Sequence, residues 1–189
     1  MKKDLVKKAF REINRADFVL SGDKNKSEYD EPISIGYGQT ISQPTTVRMM
    51  LEWLDAKRDE KVLDVGSGSG WTTALLSKIV GDKGKVFAVE RILELMKFGE
   101  ENCRKAGIKN AKFFLADENI FGLPAYAPFD RILVSAATDI LPQELIDQLR
   151  IGGKIVIPVI DSVFEITKLS RTDIDEKEHY GFTFVPLIK

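Results

Sequence analysis

Three carboxylates stand in or just beyond three short apolar runs. Asp64 lies within Val62-Leu63-Asp64-Val65, Glu90 follows Val86-Phe87-Ala88-Val89, and Asp117 comes soon after Phe113-Phe114-Leu115. The first run leads directly into a glycine loop, Gly66-Ser67-Gly68-Ser69-Gly70. Such a loop between a strand and a helix lets a ligand approach the backbone closely and presents it to the helix N-terminus. Carboxylates at neighbouring strand ends accept hydrogen bonds from a ligand's hydroxyl and amino groups. One acid at a strand end is uninformative, being usually a turn residue or a helix cap. Three after a glycine loop point to a nucleotide-like cofactor. A dinucleotide fits badly, because its fingerprint needs glycine at the sixth position for close helix–strand packing, and counting from Gly66 that residue is Trp71.

The chain has one cysteine, Cys103, and one histidine, His179. An intrachain disulfide is excluded, and zinc sites or Cys-His and Ser-His pairs are very hard to assemble. The chemistry is of a kind that needs no imidazole base. A second polar, glycine-punctuated stretch precedes the first strand: Ser34-Ile35-Gly36-Tyr37-Gly38-Gln39-Thr40-Ile41-Ser42-Gln43-Pro44. It reads as a loop running into a helix opened by Pro44. On residue chemistry alone Ser42 is an N-cap, worth about 1 kcal/mol of helix stability and nothing in rate. Gly36 and Gly38 are then turn formers.

The elements that must position these groups follow from periodicity. Lys2–Ile13 is expected to be helical, with Leu5, Val6, Ala9, Phe10 and Ile13 as its apolar stripe, and Ser21–Glu31 to be a loop. Val47, Met50, Leu51 and Leu54 give the helix after Pro44 a buried face. Strands are then expected at Val62–Val65, Val86–Val89, Phe113–Leu115, Arg131–Val134 and Lys154–Val159. Helices are expected at Thr72–Val80, Leu93–Ala106 (capped by Gly107) and Pro142–Leu149, with Gly152-Gly153 as a turn. Cys103 falls in the second of these helices and reads as a small buried hydrophobe. The alternation predicts an α/β fold: a Rossmann-like, doubly wound, mostly parallel sheet in a single domain, 1–189. Residues 1–56 would carry the N-terminal helices and the substrate loop, and 61–189 the cofactor-binding sheet. Val163–Ser170 and Gly181–Ile188, separated by a charged turn at Thr172–Glu178, would add an antiparallel C-terminal edge.

A length of 189 residues suits one domain, and 43% hydrophobic with 30% charged residues suits a soluble globular protein. A net charge of −1 and the lack of a basic run argue against nucleic acid as a partner. No stretch approaches the length of a membrane span, and the opening Met1-Lys2-Lys3-Asp4 lacks the apolar core of a signal peptide. A cytoplasmic monomer with no membrane partner is the expectation.

The glycines Gly66, Gly68 and Gly70 resemble those of the class I methyltransferases. The run from Ile35 through Pro44 resembles that of the protein-L-isoaspartate O-methyltransferases, which repair aged proteins with S-adenosylmethionine. The likeness extends from about Ser34 to Leu187. It includes Leu141-Pro142, Leu145, Gln148-Leu149, Gly152-Gly153, Pro158-Val159 and the closing Phe184-Val185-Pro186-Leu187. It implies S-adenosylmethionine as cofactor, with Gly66, Ser67, Gly68 and Gly70 at the cofactor. Asp64 would reach its ammonium group directly or through water. Glu90 would take the ribose hydroxyls, with Arg91 beside it, and Asp117 and Glu118 would meet the adenine. Gln39, Thr40 and Ile41 would fold over the cofactor as part of a flap. Ser42 is the residue credited with a role in catalysis, and it can cap a helix as well.

The implied acceptor is the free α-carboxylate of an L-isoaspartyl residue in a peptide or protein. That group is ionised at neutral pH without a base. The chain departs from the family at Glu118, where glycine is usual, and at Ile160, which replaces a glycine often found there. It ends at Lys189, where relatives commonly continue, and Asn14-Arg15-Ala16-Asp17-Phe18-Val19 matches only loosely a segment containing proline and arginine. Two other readings stay open. One is a methyltransferase of the same fold acting on a tRNA base or a tetrapyrrole precursor; the other is a non-catalytic module that binds S-adenosylmethionine.

Overall fold

The computed structural model describes residues 2–188. Seven strands form one sheet in the order β5-β4-β3-β6-β7-β8-β9. They are β3 (Lys61–Val65), β4 (Lys85–Glu90), β5 (Ala111–Leu115), β6 (Phe129–Val134), β7 (Leu149–Val159), β8 (Ser162–Lys168) and β9 (Ile174–Tyr180). The pairings β3–β4, β3–β6, β4–β5 and β6–β7 are parallel, whereas β7–β8 and β8–β9 are antiparallel. This is the doubly wound α/β sheet with an antiparallel edge that the alternation predicts. Strand order reverses between β3 and β6, which opens a crevice at their carboxyl ends.

A separate hairpin, β1 (Ile33–Gly36) with β2 (Gln39–Ile41), precedes the sheet. The stretch read as a loop is therefore partly a two-stranded flap, turned at Tyr37-Gly38. The helices are α1 (Lys2–Glu12), α2 (Pro44–Leu54), α3 (Trp71–Val80), α4 (Leu93–Lys105) and α5 (Gln143–Asp147). In α1 the residues Val6 and Ala9 are buried, as is Ile13 just beyond it, and Phe10 meets Trp71 edge-on at 5.6 Å between ring centres. In α2 it is Val47, Met50, Leu51 and Leu54 that face the core. These helices and α3 cover one face of the sheet; α5 packs on the other with Leu145 and Ile146. Among the described residues no helix is long and apolar enough to cross a membrane.

Two expectations are corrected. The helix near residue 145 is shorter than Pro142–Leu149, because Leu149 already opens β7. That strand runs through Gly152-Gly153, where the pairing with β6 shifts register instead of turning. The last strand is Ile174–Tyr180, overlapping and running past the stretch Thr172–Glu178 expected to be a charged turn, while Gly181–Ile188 is not a strand of the sheet. An edge strand that buries neither face carries no apolar alternation to read, and charged side chains there guard its free edge. The turn lies earlier, where the Ser170 hydroxyl accepts from the amides of Thr172 and Asp173. Residues 181–188 cross back over the sheet instead. There Ala137 donates to the Val185 carbonyl at 2.8 Å and Leu187 donates to the Ala137 carbonyl at 2.6 Å.

Candidate active site

The crevice at the switch point encloses about 950 Å³, open solvent at its mouth included. Its floor is the glycine loop that joins β3 to α3. Gly66 and Ser67 donate their amides to the Val89 carbonyl at 2.9 and 3.1 Å, tying the loop to β4. Gly68 has φ near +50°, and a Cβ there would come 3.1 Å from Cδ1 of Ile35 on the flap. Glycine is thus required where flap and loop touch. Gly70 serves a different end: its Cβ would lie 2.7 Å from the Gly99 carbonyl oxygen of α4. Gly66, Ser67 and Gly68 line the crevice and Gly70 does not; it lets α4 pack against the loop.

The three acids separate into different roles. Glu90 is buried yet lines the crevice; Oε2 accepts from the Gly68 amide at 2.9 Å and Oε1 from the Ile92 amide at 3.0 Å. A carboxylate has about four acceptor positions, so each oxygen retains one for a ligand hydroxyl. Asp117 is exposed at the rim of the crevice, accepting from the Asn119 amide at 2.8 Å. Arg91 also lines the crevice, whereas Glu118 is exposed and does not line it.

Asp64 lies beneath the loop, fully buried and outside the lining. Its Oδ2 accepts from the hydroxyls of Thr72 and Thr73 at 2.9 and 2.6 Å, and Oδ1 has no partner. Direct contact with a ligand is closed to it. Burial pushes its carboxyl up to about 6, against the pull of the two threonines and with the Glu90 charge adding to the rise.

The sign of that shift gives a test. Below about pH 4 the carboxyl is protonated in folded and unfolded chains alike, and it costs nothing. Between about pH 4 and 6 only the unfolded chain ionises freely, so stability falls as pH rises. Above that the charge costs about 3 kcal/mol. Asp64→Asn keeps an oxygen for both threonines and removes the charge. It is expected to raise the thermal midpoint at pH 8, with the gain fading towards pH 4; a gain independent of pH would refute this origin.

The flap closes one side of the crevice with Ile35, Gln39, Thr40, Ile41 and Ser42. Ser42 is not an N-cap. Gln43 occupies that position, without a side-chain bond to the helix. The amide of Thr45 instead donates to Asp30 at 2.8 Å, and the Asp30 carboxyl is held below its ordinary range by the Thr45 side chain first and this amide second. The Ser42 hydroxyl is half-buried at the crevice and has no hydrogen-bond partner among the described residues. It is free to meet a ligand.

Several lining groups were not singled out in the sequence. Ser135 and Ala136 continue β6 into the crevice, Ile120-Phe121-Gly122 form a wall, and Val185-Pro186-Leu187-Ile188 cross its far side. Only the closing motif Phe184–Leu187 hinted at the last. His179 is not in the lining; it stacks on Trp53 at 3.8 Å. Cys103 is buried with its thiol pushed up to about 12, mainly by desolvation, and donates to the Gly70 carbonyl at 3.3 Å. It is structural, as its helix position implied.

The model of the protein-L-isoaspartate(D-aspartate) O-methyltransferase family matches residues 1–189. This chain belongs to that family. A protein-L-isoaspartate O-methyltransferase of Pyrococcus horikoshii is 42% identical over 193 residues, covering 100% of this chain and 86% of the relative. A solved protein-L-isoaspartate O-methyltransferase superposes with a TM-score of 0.88 at 27% identity, over 97% of this chain and 61% of that one. A Plasmodium falciparum structure described as a protein of this type in complex with S-adenosyl-L-homocysteine gives 0.85 at 27% identity, over 97% and 90%.

Proposed function

We propose that this chain moves a methyl group from S-adenosylmethionine to the free carboxylate of L-isoaspartyl residues in peptides and proteins, with Ser42 orienting that carboxylate. Family membership over the entire chain favours this reading above a tRNA, tetrapyrrole or non-catalytic one. The observation that carries the site is the unpartnered Ser42 hydroxyl, held at the crevice by a flap that rests on the glycine loop.

The residues present fit the cofactor. The Ser67 hydroxyl and Trp71 Nε1 are buried in the lining without partners, and Glu90 retains two acceptor positions. Bound S-adenosylmethionine supplies an electrophilic methyl on a sulfonium. Glu90 takes the ribose hydroxyls, Arg91 flanks it, and Asp117 accepts from the adenine amino group at the rim. Gly66, Ser67 and Gly68 line the floor beneath the ligand, and Gln39, Thr40 and Ile41 cover it. Gly70, Asp64 and Glu118 act on this site only through the loop or not at all.

The acceptor carboxylate is ionised at neutral pH, so no group need remove a proton. Ser42 donates to one carboxylate oxygen and turns the other towards the methyl, with Thr40 beside it. Ile35 and the crossing segment Val185–Ile188 keep water from competing for the anion. Orientation and desolvation together can supply several kcal/mol. Ser42→Ala is therefore expected to lower kcat on an isoaspartyl peptide about a hundredfold while S-adenosylhomocysteine affinity stays within about threefold. Turnover equal to the parent's would remove Ser42 from the mechanism.

The division of labour follows the chain: residues 1–56 present the acceptor and 61–189 hold the cofactor. The charge balance of −1 supports a role without nucleic acid. We place the enzyme in the cytoplasm as a monomer free of membranes; light scattering of the purified protein checks the monomer.

A further inference from the structure

We infer that Arg15 is a positioning residue for methyl transfer: it fixes the base of the flap so that Ser42 faces the acceptor. The inference rests on the catalytic reading of Ser42. Arg15 opens a short 3₁₀ turn, Arg15–Phe18, which Asn14 caps by accepting from the Ala16 amide at 3.0 Å. Phe18 and Val19 are buried beside it, in the same apolar cluster as Ile33, Ile35 and Ile41 of the flap. The Arg15 side chain then runs inward and is 5% exposed.

Its guanidinium gathers carbonyls from both ends of the flap segment. Nη1 donates to Ser27 and Tyr29, each at 3.1 Å. Nη2 donates to Glu31 at 2.8 Å, Ser42 at 3.1 Å and Ile41 at 3.4 Å. The Cζ atom lies 5.4 Å from the ring centre of Trp71, the residue that follows the glycine loop and lines the crevice. One cation therefore joins the chain entering the flap, the chain leaving it, and the start of α3.

Ile33, Ile35 and Ile41 bury the apolar side of the flap in the core, and only its tip is held lightly. Its tip residue Tyr37 is 60% exposed, and nothing lies within 4 Å of where a Cβ would stand on Gly36 or Gly38. Apolar packing holds Ile41 beside Ser42, and the bonds to the Ile41 and Ser42 carbonyls come from Arg15 at the base. The Ser42 hydroxyl has no partner among the described residues, while its carbonyl is gripped by Arg15; that grip sets the peptide plane between Ser42 and Gln43. A planar guanidinium with five N–H groups can reach carbonyls on several sides at once, which the three donors of a lysine ammonium on a flexible stem cannot reproduce. Burial lowers the pKa of the guanidinium, with Asp30 and Glu31 opposing that shift, and an arginine remains charged under such conditions.

A purely architectural arginine would stabilise the fold without acting through Ser42, and a mutant cycle separates the two. Arg15→Lys, Ser42→Ala and the double variant are assayed on an isoaspartyl peptide. S-adenosylhomocysteine affinity is read by calorimetry, and amide exchange is followed across 27–42. Arg15→Lys alone should lower kcat by about tenfold or more, shift the dissociation constant by less than about threefold, and speed exchange in 27–42 while β3, β4 and β6 stay protected. In the Ser42→Ala background it should cost no further turnover.

A full additional loss in the double variant overturns the inference and leaves Ser42 in place. Undiminished turnover in Ser42→Ala alone overturns both. If Arg15→Lys does not fold, judged by circular dichroism, Arg15→Gln replaces it in the cycle. Failure of both to fold assigns Arg15 to the architecture and ends the inference.

Discussion

Replacing Glu90 by alanine should weaken S-adenosylhomocysteine binding by about two orders of magnitude in titration calorimetry. Among the described residues the carboxylate is the one charged group that is both buried and in the crevice lining. Each hydrogen bond from a ribose hydroxyl to a carboxylate is worth roughly 1.5–3 kcal/mol, so losing the pair costs about 3 kcal/mol, or a hundredfold. The variant also releases the amides of Gly68 and Ile92, which Glu90 satisfies in the free protein. The loop should therefore loosen even without ligand, and amide exchange at Gly68 should rise. Unchanged affinity with a normal thermal midpoint would remove Glu90 from the ribose site. A lowered midpoint with unchanged affinity would leave it as a loop strut only.

The second large effect is expected at a residue that touches no ligand. Gly99 lies inside α4, where glycine is worth about 0.5–1 kcal/mol less than alanine by propensity alone. Helix propensity therefore predicts that Gly99→Ala stabilises the protein. The packing predicts the opposite. A Cβ on Gly99 would stand 2.8 Å from the Gly68 carbonyl oxygen and 3.1 Å from the Gly70 amide nitrogen, both in the cofactor loop.

The loop cannot easily move aside. Asn102 donates to the Ser69 carbonyl at 3.0 Å and Cys103 to that of Gly70, so α4 already grips it. Overpacking of this kind typically costs about 1–3 kcal/mol, more than the propensity gain. Differential scanning calorimetry should show a midpoint lowered by several degrees, and S-adenosylhomocysteine affinity should fall about tenfold or more as the floor of the crevice shifts. A raised midpoint would mean that α4 and the loop can separate at little cost, and the packing account of both Gly99 and Gly70 would be wrong.

How much of this was legible beforehand differs from element to element. The parallel strands were readable because each holds a short apolar run, such as Val86–Val89 or Ile132–Val134, as strands covered on both faces do. β9 was not, because an edge strand with neither face buried leaves no pattern in its sequence. The N-cap reading of Ser42 failed for a related reason. A serine before Pro44 has the composition of a cap, but the residue that supplies the capping carboxylate, Asp30, is distant along the chain and reaches the helix only in the folded molecule. Asp64 and Glu90 look alike in sequence. The fold places one under the loop against Thr72 and Thr73 and the other at the crevice wall.

The order of residues by itself determined the strand–helix alternation, the glycine loop, the acids at the strand ends and the flap motif that relates the chain to its family. These are local: each depends on neighbours a few positions away. Which acid is open to a ligand, which glycine serves packing, what covers the far side of the crevice and what grips the flap were decided only in three dimensions. They depend on contacts between segments far apart in the chain, such as Gly70 with Gly99, Ala137 with Val185 and Leu187, and Arg15 with Ser42. No local pattern encodes a distance between such segments, because that distance is set by how the whole sheet twists and how its helices pack upon it.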